Sequence, residues 1–502
     1  MSNHSKYILF QSVVDEIVDQ VQSLAGTGYI KQSKKVTGKE LIKLEYSVTN
    51  LVRDSVSIRL SSKSKPSAAI DLNSNRYTAN QYQKQLSYKI HIQRAFHGMI
   101  ALGYLRVTSK GYYGDEGNNL RTRYAATQKL LSKFEAIDRR ILPTIIPPEE
   151  DSEVIRVQVK KEVIENNKKI KPKVLQPYTD TEQTQLMRAN LEKINNCLKA
   201  NHLDLKYDDQ SIDQIQKEMS STSQQDAGVD QQIRFNQVTL RRIFNDSEFK
   251  TGGRFYGGWW QSIPKKYRSR LLINGKSTVE YDYSNLHPTI LYLREGLEPP
   301  VDAYSDIIPD VKAWILPPEK VMRGAVKKAL NAMLNAGKPM IRPPHGFRKK
   351  TCNCTWKQLS SAILKKHKPI AHHFFSNVGV HLQRIDSDIA EIVMLKFAEM
   401  GYPVLPLHDS FILHNGLESV LKKVMREAFD EVVGGQVGID KKEPKSLIST
   451  RSTAAFWLEK IEQEELEKRS DEFTTKNPEE LLSWLDVGHE LRLEEYFRSK
   501  SG

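Results

Sequence analysis

The spacing of apolar residues divides this chain into blocks of different period. Helical spacing runs through Ser12–Leu24 and Gly38–Leu51. It returns in Leu86–Leu102, where Ile90, Ile92, Phe96, Met99 and Ile100 fall mostly on one face and Gly103 supplies a stop. Tyr104–Thr108 and Arg121–Ala125 read as strands, joined by a loop with Gly111, Gly114 and Gly117. A last short helix is expected from Thr127 to Ile137. Pro143, Pro147 and Pro148 then mark a linker, and the Lys-rich stretch to residue 178 reads as a solvated strand or extended arm. From Asp180 to Leu203 the pattern is helical again. It opens on Thr179-Asp180-Thr181-Glu182, a capping-type start, and repeats Leu186, Leu191, Ile194 and Leu198. Residues 208–231 are polar and read as a loop or a mobile helix. The expected organisation is therefore a small mixed domain over 1–140, a linker over 141–178, a helical region over 179–234, an α+β block over 235–455 and a helical tail over 456–502.

Three segments of the α+β block carry candidate chemistry. Val279–His287 reads as a short strand ending at Asp282, followed by a helix through Ile290 and Leu291. Val404–Leu413 reads as two apolar strands meeting at a tight His408-Asp409-Ser410 turn. A carboxylate set among apolar strands is costly unless paired or bound to a cation, so Asp409 needs a partner. Two such carboxylates brought together could bridge Mg²⁺ ions about 4 Å apart, an arrangement used for in-line phosphoryl displacement. The third segment, Val321–Gly337, is helical, with Arg323, Lys327, Asn331 and Asn335 at four-residue intervals on one slowly drifting face. Such a face suits a triphosphate and a base or sugar. Taken alone, it reads better as an amphipathic surface helix.

Charge sharpens this picture. The 502 residues carry a net +14, but not evenly. Residues 51–140 hold 16 Lys/Arg against 6 Asp/Glu, and residues 320–368 hold 13 Lys/Arg with no acid at all. Residues 456–502 reverse the sign, with 7 basic and 13 acidic residues. An acid-free stretch of that length points to a phosphate-binding surface. Only three cysteines are present, which excludes a disulfide scaffold and fits a reducing compartment. No apolar run approaches a membrane span and no signal peptide is evident, so the expected location is cytoplasmic. Cys352 and Cys354, with His345 and one of His367, His372 or His373, raise the question of zinc, although Cys-x-Cys is tighter than the usual spacing. Trp259 and Trp260 either stack on bases or pack the core, the commoner fate of tryptophan.

Two resemblances follow from these residues. The helix and basic-tipped hairpin within residues 38–140 resemble a winged helix-turn-helix domain. That resemblance implies DNA binding, with Arg94 on or beside the recognition helix and Arg121 and Arg123 on the wing. The three segments of the α+β block, over about residues 235–415, resemble the palm and fingers of family A DNA polymerases and the related single-subunit, phage-type RNA polymerases. Asp282-Tyr283-Ser284 is similar to their motif A, the Arg323/Lys327/Gly337 helix to motif B and His408-Asp409-Ser410 to motif C, in the family's order. Thr251-Gly252-Gly253-Arg254 with Gln261-Ser262-Ile263-Pro264 resembles the segment upstream of motif A, and Gln383 with Asp386 and Ser387 a helix leading into motif C.

The fold implied is α+β: a right-hand palm of antiparallel sheet with helices, reduced helical fingers, a thumb-like helical region over 179–234 and a winged-helix-like N-terminal domain. The activity implied is template-directed nucleotidyl transfer to a primer 3′-hydroxyl, with DNA and nucleoside triphosphates as partners. Asp282 and Asp409 would bind two Mg²⁺, or Mn²⁺, with His408 beside them. Arg323, Lys327, Asn331, Asn335, His287 and Tyr283 would face the nucleotide, and Arg254, Gln261 and Gln383 the nucleic acid. Departures leave the sugar unsettled. Asn335 stands where the family has an aromatic, His287 where it has Glu or Gly, and His-Asp-Ser-Phe is closer to the RNA polymerases. RNA or primer synthesis, template-independent transfer and a non-catalytic DNA-binding protein with a degenerate palm are the alternatives.

Overall fold

The computed structural model describes residues 8–31, 33–58, 67–72, 81–82, 89–111, 121–137, 146, 153–165, 168–206, 209–222, 233–310 and 317–442. The acidic tail, the tip of the basic hairpin and most of the Pro-rich linker lie outside them. The described residues form a mixed α+β structure with several sheets and two hydrophobic cores.

The first core belongs to the N-terminal unit. Helices α1 (Ile8–Ser23), α2 (Gly38–Ser57) and α3 (Lys89–Ala101) pack together beside an antiparallel sheet in the order β1-β3-β2. Its strands are β1 (Ala68–Ile70), β2 (Leu105–Ser109) and β3 (Thr122–Ala126). Val14, Ile17, Val21, Leu44, Val48 and Val52 supply the helical stripes that close this core. The α3 helix lies inside it, and its His91, Ile92, Arg94, Ala95, Phe96, Gly98 and Met99 are all buried. Little of that helix is left to enter a groove.

The second core runs from Ile155 to Phe429 as one cluster. It begins inside the stretch read as a linker. There β4 (Ile155–Lys160) pairs in parallel with β9 (Arg241–Phe244) and lies within a sheet ordered β10-β9-β4-β7. The β10 strand is Gly252–Tyr256 and β7 is Lys173–Leu175, while β5 (Val163–Glu165) and β6 (Lys168–Ile170) form a separate ribbon. Ile155 and Val157 are fully buried and alternate with part-exposed Arg156 and Gln158, so the strand is half-buried in the core and not solvated.

The thumb-like region also joins this core. Helix α4 (Glu182–Lys199) starts on a Thr181/Thr184 capping box and buries Met187, Leu191, Ile194 and Leu198. Strand β8 (Leu203–Leu205) then becomes the edge of the main sheet, and α5 (Asp209–Thr222) follows. That six-stranded sheet runs β13-β14-β12-β11-β8, with β15 (Ile439–Lys441) also on β12. Its strands are β11 (Leu271–Ile273), β12 (Lys276–Tyr283), β13 (Leu405–Leu407) and β14 (Ser410–His414). Asn274 and Gly275, both with positive φ, make the two-residue hairpin between β11 and β12.

Helices α6 (Leu286–Arg294), α7 (Glu319–Asn335), α8 (Trp356–Lys366), α9 (Gly379–Glu399) and α10 (Glu418–Val433) complete the unit. Trp259 and Trp260 are buried in this core, with Trp260 Nε1 donating to the Pro406 carbonyl at 3.3 Å. Tyr82, earlier in the chain, is buried against this unit. Its hydroxyl donates to the Gln176 carbonyl and accepts from the Val157 amide at 3.1 Å. Among the described residues, no helix is long and apolar enough to cross a membrane.

Candidate active site

Asp282 stands on β12, the most extensively paired strand of the main sheet. The register places it opposite Ser410 of β14 on one side and Asp440 of β15 on the other. Directly opposed residues share a face, so Ser410, Asp282 and Asp440 form one row across three strands. Asp409 precedes Ser410 in the β13–β14 turn, and its carbonyl accepts from the Tyr283 amide at 3.4 Å. The strand end and the turn therefore bring Asp282 and Asp409 together.

That turn has only two residues between the paired Leu407 and Ser410. His408 takes φ of 63°, a costly conformation for a residue with a Cβ, of the kind that collects at functional sites. Its ring meets the Tyr256 ring edge-on at 5.6 Å. Although His408 has an open edge, the surrounding protein lowers its pKa, and the nearby Arg254 adds to the effect.

The Asp282 carboxylate is only 8% exposed. Its Oδ2 accepts from the ammonium of Lys442, just beyond β15, while Oδ1 is buried with no hydrogen-bond partner. Burial, and then the charge of Asp409, push its pKa from the ordinary 3.8 to about 6, with Lys442 and Lys327 pulling the other way. A buried carboxylate with an orphaned oxygen, a second carboxylate beside it and a lysine already drawn to the first is a donor set that fits hard divalent cations. Lys442 is missing from the sequence reading. It lies 160 positions from its partner, and only the β12–β15 pairing brings the two together.

The cationic helix α7 shares this electrostatic environment. Arg323, Lys327 and Asn335 are exposed, Asn331 is half-buried, and Met322, Val326, Ala329, Leu330, Met333 and Leu334 form the buried stripe. Arg323 is not free. Its Nε donates to Asp302 Oδ2 at 2.6 Å and its Nη2 to Oδ1 at 3.2 Å. Arg323 and Lys327 both lie over the Tyr304 ring, at 5.4 and 5.5 Å. Tyr304 is itself buried, and burial, then the charge of Asp409, raise its pKa. Asn335 spends its amide donor on the Asn331 carbonyl at 2.8 Å and lies against the Gly379 backbone.

A second charged cluster centres on Asp386 of α9, which is 2% exposed. Arg254 grips both of its oxygens, and His287 Nε2 lies 3.0 Å from Oδ2. Those contacts hold the carboxyl below its usual range despite its burial. Gln383 is half-buried one turn earlier on α9. Beside this cluster, fully buried Arg242 donates to the Gly253 carbonyl at 2.8 Å, to Glu391 at 2.6 Å and to Ser387 at 3.0 Å. Asp386 and Arg242 thus lock α9 to β9 and β10, with His287 of α6 drawn in.

Three site expectations fail, two on burial and one on hydrogen bonds already spent. Arg94, expected at DNA, is 1% exposed and donates to Gln22 at 2.9 Å, bracing α3 against α1. Tyr283, expected at the nucleotide, is buried against Phe411 and Phe429, with its hydroxyl donating to the Met425 carbonyl at 2.6 Å. Gln261, expected at nucleic acid, spends its amide on three backbone groups. It donates to the Phe255 and Pro406 carbonyls at 3.0 and 3.1 Å and accepts from the Gly257 amide at 3.0 Å. Arg121 and Arg123, by contrast, are exposed on the N-terminal hairpin. Cys352 and Cys354 are buried, and burial raises the Cys354 thiol to about 11. His367 is occupied by Tyr292 at 3.1 Å and the Ala303 carbonyl at 2.9 Å, so it is not directed at the cysteines.

No family model matches this chain, and neither does any curated protein. A solved structure of the POL domain of Pol1 from M. smegmatis, in complex with DNA primer-template and dNTP, is similar at 11% identity and a TM-score of 0.29. The similarity covers 41% of this chain and 47% of that one.

Proposed function

We propose that the chain is a template-directed nucleotidyltransferase, a DNA polymerase in the first instance, extending a primer 3′-hydroxyl from nucleoside triphosphates. One observation carries the reading. The most heavily paired strand of the sheet ends in a buried carboxylate with an orphaned oxygen, and a two-residue turn delivers a second carboxylate beside it.

Asp282 and Asp409 are the residues to hold metal. Mg²⁺ or Mn²⁺ held by these residues would lower the pKa of the primer hydroxyl and neutralise the leaving pyrophosphate. The chain's own part is positioning and charge. Exposed Lys327, and Arg323 once it exchanges Asp302 for a phosphate, place two cations along one helix face for the triphosphate. Asp386 holds Arg254 and His287 at fixed positions beside the carboxylates. His408, held below its usual range, is neutral at pH 7 and adds no positive charge to the pair of aspartates. On the N-terminal unit, Arg121 and Arg123 offer a backbone contact to duplex DNA that leaves α3 buried.

Incorporation of labelled nucleotide on a primer–template with Mg²⁺ tests the reading. Wild type should extend the primer, and Asp282→Ala and Asp409→Ala should each lose extension while remaining folded. Parallel arms with dNTPs or rNTPs, and with a single strand lacking template, separate DNA synthesis from RNA synthesis and from template-independent transfer. Undiminished incorporation by Asp409→Ala would overturn the assignment.

A further inference from the structure

We propose a second cation site, for a borderline transition metal of the Zn²⁺ class, formed by Glu295, His372 and His373. Glu295 caps the last turn of α6, and the histidines end a short 3-10 helix, Lys368–His373. Both imidazoles turn toward one carboxylate oxygen. His373 Nε2 lies 2.8 Å from Glu295 Oε1, and His372 Nε2 lies 3.1 Å from the same atom. The three donor atoms all lie within 4.8 Å of one another.

Those spacings suit a shared ion. Two ligands bound about 2.0–2.1 Å from a metal stand roughly 3 Å apart at ordinary coordination angles. Two imidazole nitrogens and one carboxylate oxygen select Zn²⁺, Co²⁺ or Ni²⁺ over Mg²⁺, which prefers oxygen alone. In the Nδ1–H tautomers both Nε2 lone pairs face the same point as Glu295 Oε1, which is where a shared ion would sit. The imidazole rings lie 4.0 Å apart between centroids, side by side over the same oxygen. The frame around the site is braced independently. Tyr292 of α6 bonds His367, the residue just before the 3-10 helix, at 3.1 Å, and His367 bonds the Ala303 carbonyl at 2.9 Å. Ligands carried on two elements already fastened to each other lose little freedom on binding. His372 is largely exposed, so ions have access and coordination positions remain for water.

This site shares no ligand with Asp282 or Asp409 and stands whether or not those residues catalyse. An ion here would pin the end of α6, whose other end adjoins Asp282, to the segment leading into α9. Its role is that of a structural clamp.

The test titrates Zn²⁺ into the full chain, stripped of metal and held in excess Mg²⁺, by calorimetry. One site per chain is expected. His372→Ala and Glu295→Gln should each weaken it at least about tenfold, since even loss of outer-shell support costs 10–100-fold. Zn²⁺ should raise the thermal midpoint of wild type and leave that of His372→Ala unmoved. Because His372 is exposed, that variant should fold normally, and its metal-free midpoint should match wild type. A Cys352→Ser/Cys354→Ser variant should bind as wild type does. Co²⁺ should give visible bands without intense thiolate charge transfer. Binding unchanged in His372→Ala and Glu295→Gln, binding lost with the cysteines, or no binding by wild type would each overturn the proposal.

Discussion

Replacing Asp282 by Asn should make the metal-free protein more stable. In the folded chain this carboxyl titrates near 6 instead of 3.8, because burial and Asp409 oppose its charge more than Lys442 favours it. The sign follows from proton binding. Between about pH 4 and 6 the native state holds a proton that the unfolded chain has released, so stability falls as pH rises through that window and is flat above it. A shift of roughly two units corresponds to about 3 kcal/mol of destabilisation at pH 7 and above, shrinking to about 1 kcal/mol near pH 4.5. Asn keeps the shape and cannot ionise. Lys442, left without its partner, is part-exposed and can turn to water. In chelator at pH 8, about 2 kcal/mol of net gain should raise the midpoint of the 153–442 unit by about 3 °C. The gain should mostly vanish at pH 4.5, and nucleotide incorporation should be lost. Calorimetry of both proteins at the two pH values decides it. A lower midpoint for Asp282→Asn at pH 8, or a gain that persists undiminished at pH 4.5, would refute the reasoning.

Removing Asp386 should do the opposite. Asp386→Ala leaves Arg254 and His287 without their shared acceptor and should cost about 3–5 kcal/mol, read as a lower thermal or urea midpoint. Lys442→Gln removes the ammonium that competes for Asp282 and should tighten Mn²⁺ binding several-fold by titration, while lowering metal-free stability. Gly258→Ala places a methyl 2.3–2.5 Å from ring atoms of Trp260, which is fully buried and has no room to yield. Overpacking of that kind should cost about 1–3 kcal/mol and be visible as a lowered midpoint.

Local pattern and tertiary placement were not equally legible in the sequence. The helices at 8–23, 38–57, 89–101, 182–199 and 319–335 follow the apolar period closely, because each buries one stripe against its core. The strand ends at Asp282 and Asp409 were legible for the same reason, an apolar run broken by one carboxylate. The burial of strand β4 was missed because its partner β9 lies some 85 positions on and its alternating Ile155-Arg156-Val157-Gln158 is short and charged. Arg94 and Tyr283 were misplaced because residue type does not report burial, and Gln261 because it does not report hydrogen-bond partners. An arginine beside a groove and one bracing a core look alike until their neighbours are known. Asp386 was visible only as a weak companion of Gln383, yet it holds Arg254 and His287 across distances no motif spans. Tyr304 and Lys442 carried no signal at all, since each acquires its surroundings from distant chain.

The two-residue turn at His408 and Asp409 also limits how this chain can vary. With Leu407 paired to Ser410, there is no slack between β13 and β14. One inserted residue would slip the strand and turn its side chains to the opposite face, separating Asp409 from Asp282 and Ser410 from its row. Among the described residues, none between α6 and α7 belongs to a strand, so a change of length there slips no strand pairing. Relatives that have drifted in residue identity are therefore expected to keep the interval from Leu405 to Leu413 unchanged while the interval from Asp282 to Arg323 wanders. The turn works as a ruler, and its length should outlast most of the letters around it.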